Sequence, residues 1–283
     1  MVGATALFAY RLNAGETMPL VELTQRTHVH GIGVDPTNAS TIWLATHHGF
    51  FAVSADGTAT RLSDTQSDFM GFTPHPADAS VLFASGHPPS GGNLGVLKST
   101  DGGQSWERIA TGVNGPVDFH QMDVSPADSR VLYGAYVGQL QVSRDGGASW
   151  NIVGPAPQGL IDLAASASDP DRLYAGTEQG LRLSRDGGKS WQPAHVLNRP
   201  ATMVEVTPDG TVYAFMIGNG LLRTSEPNLA WQTVSEAFGD DYVLHLAADP
   251  RNAGRLYAAT YRGKVLTSAD AGKTWSPLAG GMR

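Results

Sequence analysis

Short apolar segments recur along the whole chain, and each is bounded by residues that favour turns. The clearest six read TIWLAT, VLFASG, VLYGAY, RLYAGT, TVYAF and RLYAAT. Each follows a turn that contains proline in most copies, such as VDPTNAS or VSPADSR, and another apolar segment precedes that turn. Apolar runs of this length between such turns predict β-strands, paired antiparallel across the turns.

A polar motif follows each predicted strand pair at a nearly constant distance. Four full copies and two degenerate ones are STDGGQSW (99–106), SRDGGASW (143–150), SRDGGKSW (184–191), SADAGKTW (268–275), SADGTATR (54–61) and TSEPNLAW (224–231). Their last positions, 61, 106, 150, 191, 231 and 275, are 40 to 45 residues apart. A third strand enters the motif and a fourth leaves it. Four strands per unit and six units predict an all-β, six-bladed β-propeller.

The shared form, S-x-D-x-G-x-[ST]-W, resembles the Asp-box (BNR) repeat of sialidases, sortilin-type propellers and related bacterial propellers. The resemblance covers roughly residues 27–283. It implies that each motif is a hairpin turn on the blade periphery, with a structural role. That role is expected for the motif aspartates and tryptophans, namely Asp101, Asp145, Asp186, Asp270, Trp106, Trp150, Trp191 and Trp275. The repeat is specific for the fold and not for a reaction.

The repeat divides the chain into units of one propeller domain over residues 1–283. Residues 1–26 are a closure segment, and the predicted blades are approximately 27–64, 65–113, 114–156, 157–197, 198–237 and 238–283. Within the closure segment, PLVELTQ (19–25) reads as a further strand that is expected to pair near the last blade.

Composition excludes several classes of function. The 283 residues carry a formal charge of −7, which argues against a nucleic-acid partner, and no cysteine, which excludes disulfides and thiolate sites. No apolar run is long enough to span a membrane, and the opening MVGATALFAYRL lacks the basic start of a signal peptide. The family resemblance implies an extracytoplasmic protein, periplasmic or secreted.

Histidines concentrate at one end of the predicted ring. In propellers of this family the first strand of each blade lines the central channel, and its start meets the end of the second strand at one mouth. Aligned on the turn prolines, three first strands place ligand-type side chains in two layers, His28, Asp68 and Asp118, then His30, Met70 and His120. The layer below is apolar, with Ile32, Phe72 and Met122. The second strands add His47, His48 and His87.

Six of the nine histidines are thereby predicted at the mouth of blades 1 to 3. Neutral imidazole is the commonest metal ligand in proteins, and carboxylates such as Asp68 and Asp118 can ligate a metal or orient an imidazole. The sequence therefore predicts a transition-metal site, with copper or zinc as the ion, and Met70 would favour copper. Polar substrate recognition without a metal and a purely structural histidine collar are the alternatives.

Two other functions stay open at this stage. The resemblance to sialidases implies a glycoside hydrolase or lyase, although the F/Y-R-I-P arginine motif of sialidases is missing. Candidate substrate contacts at the same mouth are Glu178, Tyr242, Tyr261 and Arg262. The resemblance to sortilin-type and photosystem-assembly propellers implies a scaffold for protein partners. His75, His195 and His245 are interpreted as structural or solvated.

Overall fold

A computed structural model describes residues 13–278 of the chain. It contains six antiparallel sheets of four consecutive strands each, and the first sheet carries one additional strand. This arrangement confirms the predicted six-bladed β-propeller. The opening MVGATALFAYRL and the last five residues lie outside the described part of the chain.

The strands follow the chain order, from the centre of each blade to its periphery. The chain begins with β1 (Thr17–Pro19) and α1 (Leu20–Arg26). Blade 1 consists of β2 (Val29–Val34), β3 (Thr41–Thr46), β4 (Gly49–Ser54) and β5 (Thr58–Arg61). Blade 2 consists of β6 (Asp68–Pro74), β7 (Leu82–His87), β8 (Val96–Ser99) and β9 (Glu107–Ala110). Blade 3 consists of β10 (Gln121–Val124), β11 (Leu132–Tyr136), β12 (Gln139–Ser143) and β13 (Asn151–Pro155).

The second half of the ring repeats this order. Blade 4 consists of β14 (Leu160–Ala165), β15 (Leu173–Thr177), β16 (Gly180–Ser184) and β17 (Gln192–Pro193). Blade 5 consists of β18 (Ala201–Val206), β19 (Thr211–Met216), β20 (Gly220–Ser225) and β21 (Gln232–Ser235). Blade 6 consists of β22 (Val243–Asp249), β23 (Asn252–Thr260), β24 (Val265–Ser268) and β25 (Ser276–Pro277). The innermost strands of neighbouring blades contact each other, and β22 contacts β2 to close the ring.

The segment before blade 1 differs from its prediction. The predicted strand over 19–25 is a helix, α1, and the strand that precedes it, β1, pairs with β5 of blade 1 rather than with the last blade. Helix spacing lets Leu20 and Leu23 bury one face, and Glu22 forms an i,i+4 ion pair with Arg26 on the surface. Apolar residues at i and i+3 satisfy a helix as well as a strand when the run is this short.

The helix fills the seam where the ring closes. Leu20 and Leu23 are each 3% exposed and belong to one apolar cluster with residues of blade 1 and blade 6. The cluster joins Ile32 and Leu44 of blade 1 to Tyr257 of blade 6 and to Leu278, which follows the last strand of that blade. The Tyr257 hydroxyl also donates to the Ala39 carbonyl oxygen at 2.9 Å. Blades 1 and 6 are therefore held together by side-chain packing across the seam.

The four full polar motifs form identical turns at the periphery. In the first, the Ser99 hydroxyl donates to Asp101 at 2.7 Å, and Asp101 accepts the backbone N–H of Ser105 at 2.9 Å. The Trp106 indole donates to the Gly103 carbonyl oxygen at 3.1 Å. The same bonds recur in the other three copies. These carboxylates are engaged within their own turns, which supports a structural role for them.

Each of these turns also packs on the preceding blade. The second glycine of the motif has a positive φ, and a Cβ atom on Gly103 would lie 2.2 Å from the ring of Phe50 in blade 1. A Cβ atom on Gly188 would lie 2.1 Å from Leu140 in blade 3. Glycine is required here for the backbone conformation and for the close approach of two blades.

No helix within residues 13–278 is long and apolar enough to cross a lipid bilayer.

Candidate metal centre

The histidines and aspartates at the mouth lie near the start of the first strand or the end of the second strand in blades 1, 2 and 3. His30 lies in β2 at a β-bulge, where Val29 pairs with Thr46 and Gly31 pairs with Ala45. His30 is thus the extra residue of the bulge and has no partner in the ladder. Bulges re-aim side chains at the rims of sheets, and this one accounts for the inward position of His30.

The turn between β3 and β4 carries His47 and His48, and a buried arginine anchors it. Both terminal nitrogens of Arg61 donate to the His48 carbonyl oxygen at 2.7 Å. Arg61 is only 3% exposed and occupies the position at which the full motifs have tryptophan. In blade 1 the motif thus has arginine in place of tryptophan, and this arginine supports the turn that carries His47 and His48. The sequence pattern alone did not indicate this role.

Asp68 is the centre of the first group of contacts. Its side chain is 6% exposed and faces three histidines. Its Oδ2 atom lies 2.5 Å from Nδ1 of His47 and 3.6 Å from Nε2 of His87, and its Oδ1 atom lies 3.5 Å from Nε2 of His30. The ligand-type atoms of His30, His47 and Asp68 all lie within 4.8 Å of one another. The ring of His48 packs edge-on against that of His47, with the ring centres 4.9 Å apart.

Asp118 is the centre of a second group. Its Oδ2 atom lies within hydrogen-bond distance of Nδ1 of His87, at 3.1 Å, and 3.4 Å from Nε2 of His120. His87 therefore lies between the two carboxylates and points one ring nitrogen at each. Five of the six predicted histidines and both predicted aspartates meet in one continuous cluster across three blades.

Some atoms of this cluster are buried without a partner. Nε2 of His30, Oδ1 of Asp68 and Oδ1 of Asp118 are buried and form no hydrogen bond among the described residues. A separation of 3.5 Å between the first two is too long for a good hydrogen bond. Leaving a buried polar atom unpaired costs about 1–3 kcal/mol, so the folded chain presents these atoms at a cost that a ligand can offset.

The electrostatics of the cluster favour neutral imidazole at His30 and His48. Burial lowers the pKa of His30 more than the Asp68 carboxylate raises it, and His47 lowers it further. Burial and the neighbouring His47 likewise lower the pKa of His48. In the second group, the contact with Asp118 raises the pKa of His120. Burial raises the pKa of Asp118, but His120 and His87 together outweigh burial and leave that pKa lowered.

Other candidates lie outside this cluster. The His28 side chain is exposed and influences His30 only through its charge. Met70 is 8% exposed, and its Cα pairs with that of Ser85 in blade 2. Glu178 lies exposed in the turn between β15 and β16 of blade 4. Their proposed roles in binding stay predictions.

Tyr242 and Tyr261 form a stacked pair at the same mouth in blade 6. Their ring centres are 4.7 Å apart at an interplanar angle of 14°, and Tyr261 is 61% exposed. Asp241 accepts the backbone N–H groups of both Tyr242 and Arg262 and thereby holds the two chain segments together. The pair offers a flat aromatic surface, and its predicted role in substrate contact is not tested by this geometry.

The channel below the mouth contains titratable side chains that the sequence reading did not place in a site. A cavity of about 330 Å³ is lined by Asp123, Asp162, Glu205 and His245, together with the apolar layer that includes Ile32, Phe72 and Met122. Bulges in five of the six innermost strands interrupt the strict alternation of side chains. Polar and apolar neighbours therefore both border the channel.

Burial dominates the protonation of these channel groups. It raises the pKa of Asp123 to about 6 and that of Asp162 to about 7. Burial, reinforced by the charges of those two aspartates, also raises the pKa of Glu205. It lowers the pKa of His245 to about 4. Asp123 of blade 3 links three blades. Its carboxylate accepts a hydrogen bond from the Thr73 hydroxyl of blade 2 at 2.9 Å and one from the Ala165 backbone N–H of blade 4 at 2.8 Å.

Comparison with known proteins supports the fold. No protein-family model matches the chain, and no curated protein matches it. Among solved structures, it is similar to the GH74 xyloglucanase from Xanthomonas campestris, at a TM-score of 0.61 and 23% identity over 89% of this chain and 45% of that one. It is also similar to a GH74 enzyme from Niastella koreensis, at 0.63 and 17% identity over 94% and 46%. The chain thus spans less than half of these enzymes.

A third similar structure has nearly the length of this chain. It is YCF48 bound to D1 peptide, at a TM-score of 0.57 and 20% identity, with 94% of this chain and 86% of that one covered. At these identities the similarities concern the propeller fold alone.

Proposed function

We propose that the protein binds a transition-metal ion at the channel mouth through His30, His47 and Asp68. The observation that supports this is the pair of buried, unpartnered atoms, Nε2 of His30 and Oδ1 of Asp68, which face each other at 3.5 Å. An ion between them would satisfy both atoms at once. The ligand atoms of the three side chains are already within 4.8 Å of one another.

The donor set indicates the kind of ion. Two imidazoles and one carboxylate match the three-ligand zinc sites that keep one coordination position open for water or a substrate. Zinc therefore fits best, and copper is the alternative because imidazole is also a good ligand for it. The exposed side of His47, which is 47% accessible, gives an exogenous ligand a path to the open position.

The alternatives from the sequence do not find equal support. The solved structures of similar fold include glycan-active enzymes and a protein in complex with a peptide. At 17 to 23% identity, the similarity to them concerns the fold alone. Glycoside hydrolysis and protein binding at the mouth therefore stay predictions for this chain. The proposed metal site, in contrast, is supported by the arrangement of side chains in this protein.

Titration of tag-free, metal-stripped protein with Zn²⁺ tests the proposal. We expect binding with a Kd below about 1 μM. His30→Ala should weaken that binding by at least about 100-fold, since it removes a ligand rather than a residue that orients one.

The matched control is His195→Ala, because His195 lies next to Trp231 at the blade periphery, and its affinity for Zn²⁺ should be unchanged. Binding of the same number of Zn²⁺ equivalents with the same affinity by the His30→Ala variant and the unmodified protein would contradict the proposal. The absence of submicromolar binding of both Zn²⁺ and Cu²⁺ would do the same.

A further inference from the structure

A second group of side chains at the mouth carries an inference that rests on the proposed function and extends it. Asp118 is 8% exposed, and its Oδ1 atom is buried without a hydrogen-bond partner among residues 13–278. Asp118 does not belong to the group of His30, His47 and Asp68, whose ligand atoms lie within 4.8 Å of one another. Its own neighbours, His87 and His120, lie 3.1 and 3.4 Å from its Oδ2 atom.

The position of His87 gives an independent reason for a cation beside Asp118. Nδ1 of His87 lies 3.1 Å from Asp118, and Nε2 of the same ring lies 3.6 Å from Asp68. A neutral imidazole carries one ring proton, so it can donate to only one of these carboxylates. When that proton is on Nε2, Nδ1 points its lone pair at the Asp118 carboxylate from 3.1 Å, an arrangement that a cation bound to Nδ1 and Asp118 would turn from repulsive to favourable.

We propose that the mouth is a two-metal site, in which a second divalent transition-metal ion binds to Asp118, His120 and His87. The Asp118 carboxylate is buried just before β10, whereas the side chains of His120 and His87 are 56% and 38% exposed. His87 then lies between two metal sites, each of which contains one carboxylate and at least one further histidine. The second ion belongs to the same class as the first, because the donor types are the same.

The stoichiometry of metal binding tests this proposal. Metal-stripped protein is titrated with Co²⁺, whose visible absorption reports nitrogen and oxygen ligation, and with Zn²⁺ followed by elemental analysis after gel filtration. We expect two equivalents per chain. His120→Ala should bind one equivalent, with the remaining site within about threefold of its original affinity. His30→Ala should also retain one equivalent, at the Asp118 position.

His195→Ala is the matched control and should retain two equivalents. His120 is 56% exposed, so His120→Ala is expected to fold normally, and its thermal unfolding transition verifies this. Asp118→Asn provides a second variant, since it keeps the shape of the side chain while it removes a charged ligand. It should lose the same equivalent as His120→Ala.

The outcomes separate the second ion from the first. One equivalent in the unmodified protein that His30→Ala abolishes and His120→Ala leaves intact would overturn the second position. That result would leave the proposed function standing. A single equivalent that both variants abolish would also overturn it, because one ion would then be shared. Absence of binding would remove both proposals.

Discussion

At the scale of single residues, the turns of the polar motif show how one backbone conformation limits the choice of side chain. The first glycine of the motif, at positions 102, 146 and 187, has φ values of +72°, +76° and +72°. In blade 6 this position is Ala271, which adopts φ +58°. A left-handed conformation brings Cβ close to the following carbonyl oxygen, so the last motif carries strain that the others avoid.

Replacing Ala271 with glycine should therefore stabilise the protein. We expect an increase of about 0.5–1 kcal/mol in the free energy of unfolding, because relief of the left-handed strain exceeds the added entropy of the unfolded chain. Thermal unfolding should show a rise of about 2 °C. Gly146→Ala is the matched reverse change, since a Cβ atom there meets nothing within 4 Å, and it should destabilise by a similar amount. A lower melting temperature of Ala271→Gly would refute the strain argument.

At the scale of elements, α1 shows how a short helix closes a ring whose blades are each built from consecutive strands. In the described chain, blade 6 takes its outer strand β25 from its own C-terminal end, so no strand is exchanged across the seam. The contacts between β2 and β22 and the apolar cluster around Leu20 and Leu23 hold blades 1 and 6 together. The seam therefore depends on packing to a greater degree than the other blade junctions, which the chain itself crosses.

Truncation of Leu23 to alanine should loosen this seam. A Leu→Ala change at a fully buried position costs about 2–5 kcal/mol, and the loss should be visible as a lower melting temperature. Hydrogen exchange should accelerate in β2, β22 and β23. Leu97→Ala is the matched control, because Leu97 is 7% exposed within the cluster of blades 1 and 2, away from the seam. Equal acceleration of β22 and β23 in both variants would show that the helix has no special role in closure.

At the scale of the whole molecule, the channel imposes a pH dependence that comes from all the central strands together. Asp123, Asp162 and Glu205 have folded-state pKa values above the ordinary range of carboxyl groups, because these half-buried side chains lose hydration around one cavity. The folded protein retains these protons at a pH where the unfolded chain has lost them. Their contribution to stability is thus present near pH 4 and is lost as the pH rises through their folded pKa values.

His245 works in the opposite direction. Its folded pKa of about 4 lies below its ordinary value, so its contribution is present at neutral pH and declines as the pH falls toward 4. The net pH profile of the protein mixes both effects. A variant that removes one carboxyl group isolates the acidic contribution by difference.

Glu205→Gln should consequently be more stable than the unmodified protein at pH 8 and equally stable near pH 4. The neutral amide avoids the loss of a proton from a poorly hydrated carboxyl group beside two other carboxylates. We expect the melting temperature at pH 8 to rise by about 3 °C, which corresponds to about 1 kcal/mol. Glu236→Gln is the control, since Glu236 is exposed, and its effect should not vary with pH. A pH-independent effect of Glu205→Gln would contradict the proposed burial of charge.

Much of this architecture follows from the chain sequence itself. The period of 40 to 45 residues, the turn prolines and the four full motifs were sufficient to predict six blades and their strand order, because each blade is formed by local, consecutive segments. The same register predicted that six histidines meet two aspartates, and in the structure all of them except His28 do so. Repeat position maps directly onto spatial position when every unit adopts the same fold.

Only the tertiary structure decided which of those side chains actually touch. The bulge at His30, the anchoring of the histidine turn by Arg61 and the position of His87 between two carboxylates depend on contacts between blades. The same is true of the acids in the channel and of the packing of α1 across the seam. Periodicity specifies the position of a residue within its own unit, whereas bulges and side-chain orientations are set by neighbours from other units, which a one-dimensional pattern does not contain.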